Sequence, residues 1–135
     1  MIQETVKALT VVQEMLTAFG KGDLESLKQT LSEDTVWIYH GVDGIPYNGT
    51  YQGKEGAVNF IMNIMNNVDI LDFQITKMIA DQNTVVVLGS EKQKIKNNSE
   101  VLEQKWVQVY TVENNLITRL EEFSNTAFSF QLFQR

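Results

Sequence analysis

Apolar and polar positions along the chain follow two different periods, and the change between them organises the reading. Leu9, Val12, Leu16 and Phe19 recur at helical spacing, with Val6, Ala8 and Met15 widening the stripe, which predicts a first helix. Gly20 and Gly22 supply its stop, and Asp23 has the character of an N-cap for a short second helix buried through Leu24, Leu27 and Leu31. Thr35 to His40 is dense in β-branched and aromatic residues and predicts a strand. It leads into a loop of turn formers, Gly41, Asp43, Gly44, Pro46, Asn48, Gly49 and Gly53. A third helix is predicted from Lys54 to Asn66, with Ala57, Val58, Ile61, Ile64 and Met65 as its apolar side.

Beyond that helix the period switches to two. Leu71, Phe73, Ile75 and Ile79 mark one strand, and Val85 to Lys96, Val101 to Val112 and Leu116 to Ser124 predict three more. Turns fall at Asp81-Gln82-Asn83, Asn97-Asn98-Ser99 and Asn114-Asn115, the signature of an antiparallel meander. Helices gathered first and strands afterwards give an α+β class, with three N-terminal-half helices packed on one face of a curved sheet. No internal repeat, low-complexity tract or linker interrupts this, so one domain over residues 1–135 is expected.

Composition narrows the function classes. The chain has no cysteine, which removes disulfides, thiolate chemistry and cysteine-held metal. A single histidine and no calcium-loop spacing among the acids leave no metal site and no cofactor to expect. A net charge of −6 opposes binding to nucleic acid or to an anionic membrane. The run Lys92-Gln93-Lys94-Ile95-Lys96 places its charges on alternate residues, as the wet side of one strand. The first residues carry no secretory pattern and no segment is apolar enough to span a membrane, so a cytoplasmic location is expected. Asn48-Gly49-Thr50 and Asn97-Asn98-Ser99 then read as turns rather than glycosylation sites.

Particular stretches sharpen the picture. Asp34-Thr35-Val36-Trp37 leads to Ile45-Pro46-Tyr47-Asn48-Gly49-Thr50-Tyr51-Gln52-Gly53, and the chain closes with Leu120-Glu121-Glu122-Phe123-Ser124-Asn125-Thr126-Ala127. Between them lie Val85 to Glu91 and Trp106 to Val112. Together these resemble the SnoaL-like branch of the nuclear transport factor 2 superfamily, which includes ketosteroid isomerases, polyketide cyclases and limonene epoxide hydrolases. The resemblance implies a cone-shaped, mixed but mainly antiparallel sheet around a pocket, a short terminal helix and a homodimer. It also implies an aspartate before Thr-Ala as proton acceptor, where this chain has Asn125, and a histidine on the fourth strand, where it has Gln108. An amide has no basic form near neutral pH.

Candidate site residues follow. His40, the only histidine, and Glu121, which shares strand parity with Asn125, are the candidate proton handlers, with Glu91 and Glu122 as further nearby carboxylates. Trp37, Tyr39, Tyr51, Trp106, Gln108, Phe123 and Asn125 are the candidate ligand-binding set, because aromatics with a few polar hooks build small-molecule sites. Sheet aromatics equally form cores and dimer faces. The apolar tail Phe128, Phe130, Leu132 and Phe133 should cap the cone or bury against a second subunit. Three functions stay open: a domain binding a small apolar organic molecule, an isomerase, cyclase or epoxide-hydrolase-type enzyme using His40 or Glu121, and a dimeric protein-interaction scaffold. The amide at Asn125 favours binding over catalysis.

Overall fold

The computed structural model describes residues 2–135. Helices α1 (Ile2–Lys21) and α2 (Leu24–Gln29) precede strand β1 (Leu31–His40). A short strand β2 (Gly49–Gln52) and helix α3 (Gly53–Asn67) follow, then β3 (Val68–Asp81), β4 (Thr84–Ile95), β5 (Val101–Glu113), β6 (Leu116–Ser124) and helix α4 (Thr126–Phe133). The six strands form one curved sheet in the order β2-β1-β6-β5-β4-β3. Its pairings are antiparallel except for β1 with β6, which run parallel from Val36 opposite Arg119 to His40 opposite Phe123.

Local chemistry accounts for the joints. Asp23 caps α2 with both carboxylate oxygens, accepting from Ser26 N at 3.1 Å and from Ser26 Oγ at 2.7 Å. The β5–β6 turn needs two consecutive left-handed residues, and asparagines tolerate that: Asn114 has φ 53° and Asn115 φ 63°. The strand β2 lies within the turn-rich segment read from sequence as a loop. Only four residues long, it pairs Tyr51 with Trp37 at the edge of the sheet.

The concave face of the sheet holds the core. Val12, Leu27, Leu31, Trp37, Ala57, Val85, Val87, Trp106, Tyr110, Ile117 and Leu120 are buried there, between the sheet and helices α1, α2 and α3. The buried stripe of α1 is Ala8, Val11, Val12, Met15 and Ala18; Leu9, Leu16 and Phe19 sit half-buried at its margin. Of the apolar tail, Leu132 joins a second buried cluster with Val68, Ile95 and Leu102, and Phe133 meets Tyr47 edge-on at 6.0 Å. Phe130 lies over Gly44, where a Cβ would sit 2.2 Å from its ring. Phe128 remains 45% exposed.

Gly89 fixes the tightest approach in the sheet. A Cβ there would sit 2.2 Å from Trp106 Cζ2 and 2.4 Å from the backbone oxygen of Gln74, and backbone cannot yield as a flexible side chain can. Gly89→Ala should therefore destabilise the chain by about 1–3 kcal/mol, the usual cost of overpacking. Urea denaturation checks it: the midpoint should fall with the slope unchanged.

Candidate functional site

The strand period carries one set of side chains to the concave face. Trp37 and Tyr39 arrive from β1, Glu91 and Gln93 from β4, Trp106, Gln108 and Tyr110 from β5, and Leu120 and Glu122 from β6. With Met15, Leu16 and Phe19 of α1, Phe60 of α3 and Phe73 of β3 they surround a cavity of about 50 Å³. At about 10–15 Å³ per water centre, that is room for roughly three to five waters. Phe73 limits it, stacking on Trp106 at 5.1 Å and 20° while Phe19 packs on Phe73 at 5.5 Å.

A hydrogen-bonded chain stands in one wall. Glu122 and Gln108 are opposite each other across β6 and β5, and Gln108 Nε2 donates to Glu122 Oε1 at 2.8 Å. The Tyr110 hydroxyl donates in turn to Gln108 Oε1. Burial holds the Tyr110 phenol well above its usual range, so it stays a donor and fixes which end of the Gln108 amide faces the carboxyl. Glu122 is 8% exposed, and no lysine, arginine or histidine lines the cavity among the described residues. Burial, followed by the negative charge of Glu91, pushes its carboxyl up to about 8, with the Gln108 bond pulling the other way.

Other polar atoms in the wall lack partners. Trp37 Nε1, Trp106 Nε1, Tyr47 hydroxyl and Gln93 Oε1 are buried without a hydrogen bond among the described residues. Indole N–H groups only donate, so two residues of the lining, Trp37 and Trp106, each carry a buried donor with no acceptor among the described residues. Burial likewise raises the Tyr39 and Tyr47 phenols, leaving both neutral; the Tyr39 hydroxyl shares a hydrogen bond with Ser124 Oγ at 2.9 Å.

The structure thus brings Trp37, Tyr39, Trp106 and Gln108 together at the cavity and places the remaining sequence candidates elsewhere. His40, Glu121 and Phe123 project from the opposite, convex face. There His40 Nε2 lies 2.8 Å from Glu121 Oε1, Arg119 Nε donates to Glu121 Oε2 at 3.3 Å, and the His40 ring stacks on Phe123 at 4.6 Å. The His40 bond, together with Arg119, lowers the Glu121 carboxyl despite some burial. Asn125 lies outside the strand, so its parity with Glu121 does not carry across. It is exposed and caps α4, accepting from Phe128 N at 3.3 Å. Tyr51 packs beside Phe60 at 5.1 Å, its hydroxyl donating to Tyr47 O at 2.9 Å rather than facing the cavity. Glu122 and Glu91 are the carboxyls at the cavity. The signal for Glu122 was its shared parity with Leu120, an apolar strand residue that must face the core.

The SnoaL-like domain family matches residues 12–120. Among solved structures, an NTF2-like protein from Burkholderia xenovorans LB400 is 24% identical, over 96% of this chain and 97% of its own, with a TM-score of 0.88. An NTF2-like protein of unknown function from Burkholderia pseudomallei K96243 is 25% identical, over 96% and 98%, with a TM-score of 0.80. TerC, co-crystallised with polyporic acid, is 17% identical over 96% and 99%, also at 0.80. Proteins with curated descriptions yield no match. The strand order and helix placement above agree with the family match over most of the chain, and the protein belongs to the SnoaL-like domain family.

Proposed function

We propose that the chain catalyses proton transfer on a small, neutral organic molecule held in the concave cavity, with Glu122 taking and returning the proton. The observation that carries this is a carboxyl buried without a cation, held at Oε1 by Gln108 and left without a protein partner at Oε2 among the described residues. A group with a pKa of about 8 is roughly one-tenth ionised at pH 7, so both its forms are within reach near neutrality. The carboxylate removes a proton from the carbon beside a carbonyl, the electron pair moves onto the carbonyl oxygen, and the carboxyl returns the proton at another atom. The unpartnered Trp37 and Trp106 N–H groups would serve as donors for the oxygen that gains charge once a guest brings an acceptor to them. Two carboxyls and no cation in the wall disfavour an anionic guest.

This reading departs from binding alone, which the amide at Asn125 had favoured, because the carboxyl sits one strand residue from Glu121 on the inner side. The cavity of about 50 Å³ is smaller than the roughly 300–1,000 Å³ of ordinary ligand sites, so Phe73 and Trp106 must turn aside for a guest. That TerC, of the same fold, was crystallised with polyporic acid supports an organic guest.

A second copy of the chain is the occupant we propose for the convex face. Two rows cross the sheet there: Ile79, Val86, Val109, Glu121 and Ile38, and beside them Leu88, Val107, Phe123 and His40. None of these is buried, and most are large and apolar, which suits a self-complementary face.

Three outcomes are expected. In deuterated buffer, Glu122→Gln should slow exchange of the acidic hydrogens of an enolisable ketone by a factor of about 10² to 10⁴, while His40→Ala and Glu121→Gln leave it unchanged; NMR of the ketone reads this, and an undiminished rate in Glu122→Gln refutes the role. Stability carries a second signature. Because folding raises this carboxyl from 4.5 to about 8, the folded chain holds its proton where the unfolded chain has lost it. Stability should thus be full below pH 4.5 and fall with rising pH towards 8, by at most about 1.4 kcal/mol per unit from this group. Urea denaturation across that range should show the slope in the natural chain and a shallower one in Glu122→Gln, where the raised Glu91 carboxyl still contributes. Finally, Val109→Asp should convert a dimer to a monomer by light scattering, and a natural chain that is already monomeric refutes the dimer.

A further inference from the structure

The cavity holds a second carboxyl that this proton step leaves idle. Glu91 stands on β4 opposite Gln104 of β5, and Gln104 Nε2 donates to Glu91 Oε1 at 2.8 Å. At its other end the amide is met by the C-terminal helix: Ser129 Oγ, 1% exposed as a residue, has Gln104 Oε1 at 2.9 Å and Asn125 O at 3.1 Å as acceptors for its one proton, and the shorter contact is to Gln104. An amide flips between two near-equal shapes unless its partners choose, and a hydroxyl donor at the oxygen end turns the NH2 to Glu91. The helix that carries Ser129 is anchored independently, by Asn98 Nδ2 donating to Leu132 O at 2.8 Å and by Leu132 in its own buried cluster.

We propose that Gln104, oriented by Ser129 of α4, is a positioning residue that holds the Glu91 carboxylate where its charge bears on Glu122, so that the C-terminal helix sets how readily Glu122 releases its proton. The inference rests on Glu122 as the proton-handling group. Around the two carboxyls stand Tyr39 of β1, Tyr47 of the segment 41–48 that follows it, Gln93 of β4, and Gln108 and Tyr110 of β5, with no cation among them. The three phenols are held neutral by burial, so the charge that Glu122 meets in this wall is that of Glu91. Burial is the first cause of the raised Glu122 value, and the charge of Glu91 is the second. Glu91 is itself raised by burial and drawn down first by Gln104 and then by Gln93. Removing the Gln104 donor should disfavour the Glu91 anion and free its side chain to leave this position, and Glu122 should ionise more easily as that charge is neutralised or moves away.

Carboxyl-carbon NMR titration of ¹³C-glutamate-labelled chain tests this directly. In Gln104→Leu, and more weakly in Ser129→Ala, the Glu91 midpoint should move up while that of Glu122 moves down. Loosened packing would instead let both fall together towards ordinary carboxylate values, and that result, or no movement, overturns the proposal. Glu91→Gln leaves α4 and its tether to Gln104 unaltered and should lower the Glu122 midpoint; a Glu122 that still titrates near 8 in that variant overturns the coupling and spares the role of Glu122. A natural chain whose Glu122 titrates as an ordinary surface carboxylate overturns both.

Discussion

A carboxyl without a counter-charge, buried on the inner side of a central strand, is the constraint around which this structure is arranged. β6 lies between β1 and β5, hydrogen-bonded on both sides, so Glu122 cannot swing to solvent by fraying an edge. Ionising such a group in an apolar wall costs several kcal/mol in general, and the usual escape is to keep the proton. The Tyr110–Gln108–Glu122 chain is what makes the remaining position tolerable. A phenol that cannot ionise directs an amide, and the amide directs one carboxyl oxygen. Each link is neutral, so the chain supplies orientation without cancelling the charge that the carboxyl acquires when it gives up its proton.

The same apolar wall explains the cavity's narrowness. The Trp106 ring takes the space where a side chain at Gly89 would stand, Phe73 stacks on it, and Phe19 of α1 packs on Phe73. Three rings from two strands and a helix thereby keep most water away from Glu122, which strengthens every electrostatic interaction inside. The arrangement also leaves the Trp106 N–H without a partner. A closed state that strands a buried donor gives up about 1–3 kcal/mol that a guest with an acceptor oxygen can recover. Water exclusion and readiness to bind therefore have one structural source.

Most elements were legible in the alternation of apolar positions because burial on one side of a helix or strand imposes a period that any chain must show. The β5–β6 turn was legible for a similar reason, since its two left-handed positions are both asparagines, Asn114 and Asn115; the other two turns put Gln82 and Ser99 in that conformation. What the chain did not show locally was pairing. β2 is four residues long and holds together only through its register with β1, and the parallel contact of β1 with β6 joins segments about eighty residues apart. The site divided along the same line. Trp37, Tyr39, Trp106 and Gln108 follow from parity within their own strands. Glu121 was preferred to Glu122 by counting from Asn125, but the strand ends at Ser124, and beyond it Asn125 answers to the first turn of α4 instead. Counting from Leu120 keeps the comparison inside the strand and selects Glu122.

Glu121 and Glu122 show how far one peptide step can separate two identical side chains. On the convex face Glu121 meets His40 and Arg119 in the presence of solvent, and its carboxyl is lowered. On the concave face Glu122 meets aromatic rings, a neutral amide and the charge of Glu91, and its carboxyl is raised to about 8. The pleat alone assigns the two environments, since successive side chains must point to opposite faces. A register slip of one residue on β6 would exchange them, burying the anion with the greater preference for charge and turning Leu120 out to water. Register on this strand is consequently enforced from both sides: apolar Leu120 and neutral Glu122 are admitted to the core together, and the ion-paired Glu121 is kept out of it.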